Sequence, residues 1–433
     1  LKQTHEVRDP VHIFVKLSKQ ERDVVDSHPF QRLRHIQQLA LTNLVYPGAT
    51  HKRFEHSLGV MELAGRMYDT LTDSGNTKAV RELLRDLEKG DTVEYWRRVV
   101  RMAALCHDIG HIPFSHAAEK DLLPEGWHHE RLTAELIKSD EMRSIWTSER
   151  PALNTDDIVK LAVGPEKAIG YQFSDWEAVL ADIICGDAFG ADRIDYLLRD
   201  SLHTGVAYGR FDHNRLIDTL RILPSPGDTP TEPKLGVEAG GLLSAEALLL
   251  ARYFMYTQVY LHPVRRIYDI HLKEFLQAWL PDGQFSTDLA AHQTMTDIDV
   301  EAALTDAAAR SNAPGHDPAM RIRHHKHFRV LYDRNPDDER TNRDAAKRIA
   351  KAAGDEFGVD KVRYDSYRPS GEAPDFPVLE RDGRIASAQA MSSVMAQLPQ
   401  VRAEFVFIAP ETFEKAKKWL RDNRESIVNT DKE

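Results

Sequence analysis

The chain has 433 residues, 42% of them hydrophobic, and a formal net charge of −11. That length suggests two or three domains with enough apolar side chains for a real core, while the negative balance argues against broad, nonspecific nucleic-acid binding but leaves room for a local basic pocket. No run of about 18 apolar residues occurs, so no membrane span is expected.

The two cysteines, Cys106 and Cys185, make no disulfide framework; they read as buried, inert thiols, and a reducing cytoplasmic setting is expected. No signal-peptide pattern opens the chain, and because it starts on Leu1 the natural start is expected upstream.

Val7 to Ser18 alternates as a strand or hairpin, and Lys19 to Leu41 reads as a helix. Its segment Phe30-Gln31-Arg32-Leu33-Arg34-His35-Ile36-Gln37-Gln38-Leu39 is unusually polar, which on its own describes an amphipathic surface helix. Pro47-Gly48 marks a turn. Thr50-His51-Lys52-Arg53-Phe54-Glu55-His56-Ser57 then leads into a helix whose Val60, Ala64, Met67 and Leu71 share one face, so His56 sits near its start. Asn76 to Trp96 is charged and reads as a helical excursion from the core. Val99 to Leu105 is a buried helix running into Cys106-His107-Asp108-Ile109-Gly110-His111-Ile112-Pro113-Phe114-Ser115-His116, with Pro113 expected to end the helix or bend the chain.

Trp127-His128-His129-Glu130 opens a helix to about Ile137, and 139–178 reads as short helices and loops. Val179 to Arg199 forms one or two helices bearing Asp182, Asp187, Asp192 and Asp195, with Asp192, Asp195 and Tyr196 on one face. Leu223 to Lys234, rich in proline, reads as a loop; Leu242 to Leu280 as a long helical region with a core aromatic stripe; Asp297 to Ala309 as a helix.

Composition changes at the basic patch Arg321-Ile322-Arg323-His324-His325-Lys326-His327, most simply a solvated linker. Beyond it strands (Phe328–Tyr332, Val362–Tyr364, Phe376–Leu379, Glu404–Ile408) alternate with helices (Asp344–Ala353, Ala388–Leu398, Thr412–Asp422). The expected fold is mainly α, a helical body over 1–315 followed by a smaller α+β unit over 316–433.

Chemistry gathers at few points. His and Asp are the usual N and O ligands of Zn, Mn or Fe, and neutral His also moves protons near neutral pH. His56, the pair His107 and Asp108, and a later Asp offer four such ligands from three helices, which suits metal-assisted hydrolysis of a phosphate ester. A lone histidine is more often structural; an ordered set is not.

These segments, with Tyr46 to Val60, His129-Glu130, Asp192 to Asp200, Gly205-Val206 and Phe211-Asp212, resemble the HD-domain metal-dependent phosphohydrolases. More narrowly they resemble the deoxynucleoside triphosphate triphosphohydrolase branch related to the sterile-alpha-motif and HD-domain protein, with no sterile-alpha-motif module evident. The likeness covers roughly the first 270 residues and fades through Tyr260-Leu261-His262.

The resemblance implies an HD helical body in which His56, His107, Asp108 and Asp192 are metal ligands. It implies that His111, His116 and His129 are catalytic histidines, His116 being the acid for the leaving 5′ oxygen, with Glu119 supporting His116 and Glu130 near a second metal position. Arg53, Arg193, Tyr196 and Asp200 would handle phosphate and sugar, and Gln38 and Leu39 would inspect the ribose. Arg193 stands where relatives often carry Lys, a planar fork in place of a point donor.

A divalent transition metal (Fe, Mn or Zn) is expected, with Mg on the substrate phosphates. So are a dNTP substrate, a homo-oligomer (dimer or tetramer) and a nucleotide activator; a nucleic-acid partner is not favoured. The alternatives are an HD phosphohydrolase for another nucleotide or a nucleic-acid end, and a nucleotide sensor. Plainer readings exist for single residues: Arg53 pairing with Glu55, Glu130 as a helix-start charge, Asp195 as a structural acceptor.

Overall fold

The computed structural model describes residues 5–73, 76, 90–114, 119–225, 232–369 and 374–429. Packing divides the chain into two compact units. One comprises Leu1–Met255, Phe285–Val300 and Ala373–Leu398; the other comprises Tyr256–Gln284, Glu301–Glu372 and Pro399–Glu433. The sequence reading drew a single boundary at 315/316. The units are discontinuous instead, because helix Pro263–Trp279 packs with helix His316–Arg323, while 373–398 returns to the first unit.

The first unit opens with the expected hairpin, His5–Asp9 antiparallel to Ile13–Leu17. Asp9 Oδ1 closes its turn by accepting the N–H groups of Val11 and His12. Ser18 and Glu21 form a capping box on helix Lys19–Val25. The single helix expected over Lys19–Leu41 does not form. Pro29 has no N–H with which to continue a helix, so it starts a new short one, His28–Gln31. The chain tightens into a 3-10 turn over Arg32–His35 and then opens, and Gln37 bridges Lys52 in antiparallel fashion. That bridge lays Gln38 and Leu39 beside the start of the next helix.

Helix Arg53–Thr72 is the axis of this unit and packs against helices Gly90–Cys106 and Ala191–Thr204. Val60, Ala64, Met67 and Leu71 are buried along it, and burying a side chain such as Met67 or Leu71 stabilises by roughly 1.5–3 kcal/mol. Gly59 sets how near the neighbours come: a Cβ there would lie 1.9 Å from Asp195 Oδ1. Of the charged excursion expected over Asn76–Trp96, residues 77–89 lie outside the described residues.

Helix Gly90–Cys106 stops at Cys106, before Pro113 is reached. The turn that follows is held by helix His129–Ile137. Thr133 Oγ1 donates to His107 O at 3.1 Å and accepts the Gly110 N–H at 3.0 Å. Gly110 is needed there, since a Cβ would sit 2.3 Å from His129 O and from Thr133 N.

The loop expected over Leu223–Lys234 is shorter than the prolines suggest. Leu220–Pro224 pairs antiparallel with Pro233–Glu238, and the prolines occupy the strand ends, where a missing N–H costs no ladder bond; residues 226–231 lie outside the described residues. Strand Pro377–Leu379 then adds in parallel, Val237 opposite Val378, and Ile385–Ser387 completes a four-stranded sheet. The long helical region expected over Leu242–Leu280 is interrupted: helix Leu242–Met255 passes into a π-turn over Tyr256–Tyr260, and a new helix begins at Pro263.

The second unit holds a three-stranded antiparallel sheet with Ala403–Ile408 between Arg329–Asp333 and Val362–Tyr367. All six residues of the central strand are buried. Alternation sends Phe405 and Phe407 to one core with Ile267 and Phe328, and Val406 to another with Ile349, Leu420 and Val428. The whole is mainly α with small sheets, and among the described residues no helix is long and apolar enough to cross a membrane.

Candidate metal centre

Three helix ends in the first unit bring the ligand candidates together. His56 lies in the first turn of helix Arg53–Thr72, His107 and Asp108 directly follow helix Gly90–Cys106, and Asp192 lies in the first turn of helix Ala191–Thr204. His56 Nε2 stands 3.0 Å from Asp192 Oδ1 and 3.8 Å from Asp108 Oδ2. One ligand atom from each of His56, His107 and Asp192 falls within 4.8 Å of the others.

Whether a cation fits can be judged from the imidazoles. His107 Nδ1 faces Ala104 O at 2.7 Å, which fixes its proton there and leaves Nε2 as a lone pair. That Nε2 is buried and has no hydrogen-bond partner; the nearest carboxylate oxygens, on Asp108 and Asp192, stand 3.4 and 3.6 Å away. An orphaned acceptor beside two carboxylates is costly unless a cation sits between them. His56 repeats the pattern, with Nδ1 on Asp195 Oδ2 at 2.8 Å and Nε2 turned to Asp192. A carboxylate or carbonyl behind each ring is how ligating histidines are oriented. The donor set fits a divalent transition metal.

Asp195 is therefore not at the centre but behind it. It accepts from Arg199 Nε and Nη2 at 2.8 and 3.0 Å and pairs with His12 Nε2 at 2.6 Å, while Arg199 Nη1 donates to Asp9 Oδ2 at 2.9 Å. Burial opposes charge on His56, yet the hydrogen bonds to Asp192 and Asp195 outweigh it and raise its pKa to about 10. A bound cation would compete with that proton directly. Burial likewise opposes ionisation of Asp108, but the surrounding histidines and the Arg53 guanidinium hold it well below the carboxylate range.

Beside the ligands stands a stacked pair, His111 over His129, with centroids 3.8 Å apart and planes at 15°. His111 Nε2 lies 3.0 Å from Asp108 Oδ1. Burial first, then Arg53 and His129, push His111 well below the usual imidazole range. His129 is shifted upward: burial opposes its charge, but Glu119 Oε1 lies 2.8 Å from Nδ1 and outweighs it. The two stacked rings are thus shifted in opposite directions. Glu119 also accepts the His129 backbone N–H at 2.7 Å. Glu130 Oε2 faces His128 Nδ1 at 2.9 Å and His129 Nδ1 at 3.3 Å. His116 lies outside the described residues, while Glu119, expected to support it, faces His129.

The substrate-handling candidates divide. Arg53 does not pair with Glu55, which caps the Lys52 N–H; it is buried and donates from Nη1 to Asp108 Oδ2 at 2.5 Å. Gln38 and Leu39 are buried, and Gln38 Oε1 has no hydrogen-bond partner. Asp192, Tyr196 and Asp200 recur at successive turns of one helix. Asp200 Oδ1 faces His51 Nε2 at 2.7 Å, and His51 stacks on His203 at 4.3 Å. Arg193 instead turns to Asp187, bonding both its carbonyl and its carboxylate.

Sequence reasoning missed the supports. His51 and His12 stood in view without an assigned role. Arg32 was read as surface helix, yet it is buried and donates to His111 O at 2.7 Å and Met295 O at 2.9 Å. Asp297 accepts the N–H groups of Gln37 and Phe114 at 2.6 and 2.9 Å, tying the loop of Gln38 and Leu39 to the histidine loop. No local pattern marks residue 297 as a partner of residues 37 and 114.

Fold and site together define a helical protein with a buried His/Asp cluster that could hold a metal ion. The HD domain matches residues 53–164 and the HD-associated region matches 211–409. A hypothetical protein from Aquifex aeolicus, solved at 2.0 Å, aligns with a TM-score of 0.78 at 32% identity, covering 96% of this chain and all of that one. The chain belongs to the HD-domain family.

An uncharacterized protein of Methanocaldococcus jannaschii is 37% identical over 267 residues, 62% of this chain and 48% of its own length. Deoxynucleoside triphosphate triphosphohydrolase SAMHD1 of Gallus gallus is 30% identical over 364 residues, 77% of this chain and 56% of its own. The chain spans about half the length of the curated relatives it matches.

Proposed function

We propose that this protein is a metal-dependent phosphohydrolase that converts deoxynucleoside triphosphates to deoxynucleosides and inorganic triphosphate. The observation that carries the reading is the buried, unpartnered His107 Nε2 facing the carboxylates of Asp108 and Asp192 beside His56. Relatives named as dNTP triphosphohydrolases support the choice of substrate. His56, His107, Asp108 and Asp192 would hold a divalent cation, which when bound supplies Lewis-acid polarisation and an acidified water.

The rest falls to the chain's own groups. Arg53 sits against the ligand set and supplies a fixed positive charge for phosphate oxygens. Gln38 and Leu39 would close on the sugar, Leu39 occupying space a 2′-hydroxyl needs and Gln38 Oε1 accepting from the 3′ side. Tyr196 and Asp200 continue that wall, with His51 holding Asp200. Arg193 would reach phosphate only after leaving Asp187.

His129, whose affinity for a proton Glu119 raises, would hold a proton within the histidine cluster. His116 remains the candidate to protonate the departing 5′ oxygen. A positioned acid of this kind is worth about 10²–10⁴-fold in rate.

Product analysis tests this. The protein is incubated with Mn²⁺, Mg²⁺ or Fe²⁺ and each dNTP and NTP, singly and in pairs, and products are separated by ion exchange. Deoxynucleoside plus triphosphate, abolished by His107→Ala with Asp108→Ala, is the expected result. A requirement for a second nucleotide would add activation to the reading. Release of monophosphate or orthophosphate would replace it with hydrolysis of a different bond.

A further inference from the structure

The second unit carries a basic cavity that the chemistry above does not use. Its origin is topological. The central strand Ala403–Ile408 runs antiparallel to both neighbours, so its first residues lie where they end: Asp333 is opposite Phe405 and Tyr367 is opposite Ala403. Each of those three ends carries an arginine, Arg334, Arg368 and Arg402, and all three line one cavity. Arg340, Arg343 and Arg348 enter it from the joint between helices Pro336–Thr341 and Ala345–Phe357. Six guanidiniums thus surround one space of about 1590 Å³, above the ~300–1,000 Å³ of ordinary ligand pockets and so roomy enough for an anion with its water.

The local charge is cancelled only in part. Among the described lining residues only Glu339 and Asp344 are acidic. Glu339 is shared by Arg334 and Arg402, the latter at 3.9 Å, and Asp344 stands 3.7 Å from Lys347, which does not line the cavity. Behind the wall, Glu404 takes Arg368 at 2.8 Å, and Asp337 takes Arg340 at 2.9 Å in a fully exposed pair that contributes little. Arg343 has no ion-pair partner among the described residues. Such a grouping of arginines in a chain of net charge −11 favours an anion among them.

The wall is also held in place. Arg334 N–H donates to Glu404 O at 2.9 Å, Asn342 Nδ2 to Val428 O at 3.1 Å, and Arg424 Nη2 reaches Asp338 at 2.8 Å.

Composition selects the ligand. Planar guanidinium forks match phosphate oxygens in pairs. Among the described residues no Phe, Tyr, Trp or His lines the cavity, so none of them offers a ring for a base to stack on, as single-stranded nucleic acid sites do. We propose that this arginine-lined cavity binds an oligophosphate, either inorganic triphosphate or the triphosphate tail of a nucleotide, by its phosphates alone.

The test uses the full chain bearing His107→Ala and Asp108→Ala, in EDTA, so that neither turnover nor the metal centre contributes. Its outcome is therefore separable from that of the product analysis. Calorimetric titration with inorganic triphosphate should show one saturable site that weakens with salt. Adding Arg343→Glu and Arg402→Glu should weaken binding at least about tenfold, as expected for loss of charged hydrogen bonds, with thermal midpoint and far-UV dichroism unchanged. Lys347→Glu, a like charge change outside the cavity, should leave it intact.

A parallel titration with dATP should give equal affinity, because the phosphates are read alone; tighter dATP binding would show that sugar or base is read as well and would overturn that. Absence of saturable triphosphate binding, indifference to both arginine replacements, or displacement of triphosphate by a mixed-sequence single-stranded oligonucleotide at lower concentration would overturn the proposal.

Discussion

At the scale of single residues, the centre depends on which ring nitrogen holds a proton. His56 and His107 each commit Nδ1 to an oxygen, Asp195 Oδ2 and Ala104 O, and thereby point Nε2 at the carboxylates. Asp195→Asn keeps an oxygen for Arg199 but weakens the anchor on His56. Metal retained after dialysis, measured by mass spectrometry, should fall by about 10–100-fold in affinity, with the helix content intact.

Asp297 makes a pH prediction. Burial lifts its pKa to about 6 against the two backbone N–H groups it accepts, whereas in the unfolded chain the value is about 3.9. Between those values the folded form binds more protons, so this residue's contribution to stability falls as pH rises through that window and levels off above about 6. The thermal midpoint of wild type relative to Asp297→Asn, whose side chain is uncharged at every pH, should therefore fall as pH rises from about 4 to about 6 and stay level above that; a difference that does not change with pH would rule the assignment out.

At the scale of elements, the turn after Cys106 is shaped by the helix laid across it. Thr133 holds both sides of that turn, and Gly110 leaves room for it. Thr133→Val removes a donor and an acceptor from buried backbone groups and should cost roughly 1–3 kcal/mol by denaturant titration. Gly110→Ala should be worse, because the Cβ meets backbone atoms of His129 and Thr133 rather than a side chain that can swing aside.

The periodic helix face of Val60, Ala64, Met67 and Leu71 was legible in the sequence because burial on one side imposes its own repeat. The break at Pro29 was signalled too, but the polar, helix-like run around it masked the consequence.

At the scale of the molecule, segments far apart in the chain complete one another. Val378 pairs beside Val237 in the first unit, although 373–398 follows most of the second unit in sequence. A chain truncated after residue 315 would leave strand Pro233–Glu238 with an open edge and its apolar residues uncovered. It should unfold at a lower temperature than the full chain and aggregate, as read by thermal dichroism and light scattering. Adding the peptide 373–398 in trans should restore part of the difference.

What the sequence determined by itself is chemical identity and local order. The histidines and aspartates of the centre, the helix that carries His56, and the mainly helical character are written in residue type and period, since metal ligation and one-sided burial each demand particular side chains at particular spacings. What the tertiary structure decided is who meets whom. His51 against Asp200, Asp297 across the two loops, Arg193 turned to Asp187, and three strand-end arginines around one cavity come from pairings between distant segments. No local period encodes such pairings, because they are selected only when the whole core closes and buried polar groups compete for partners.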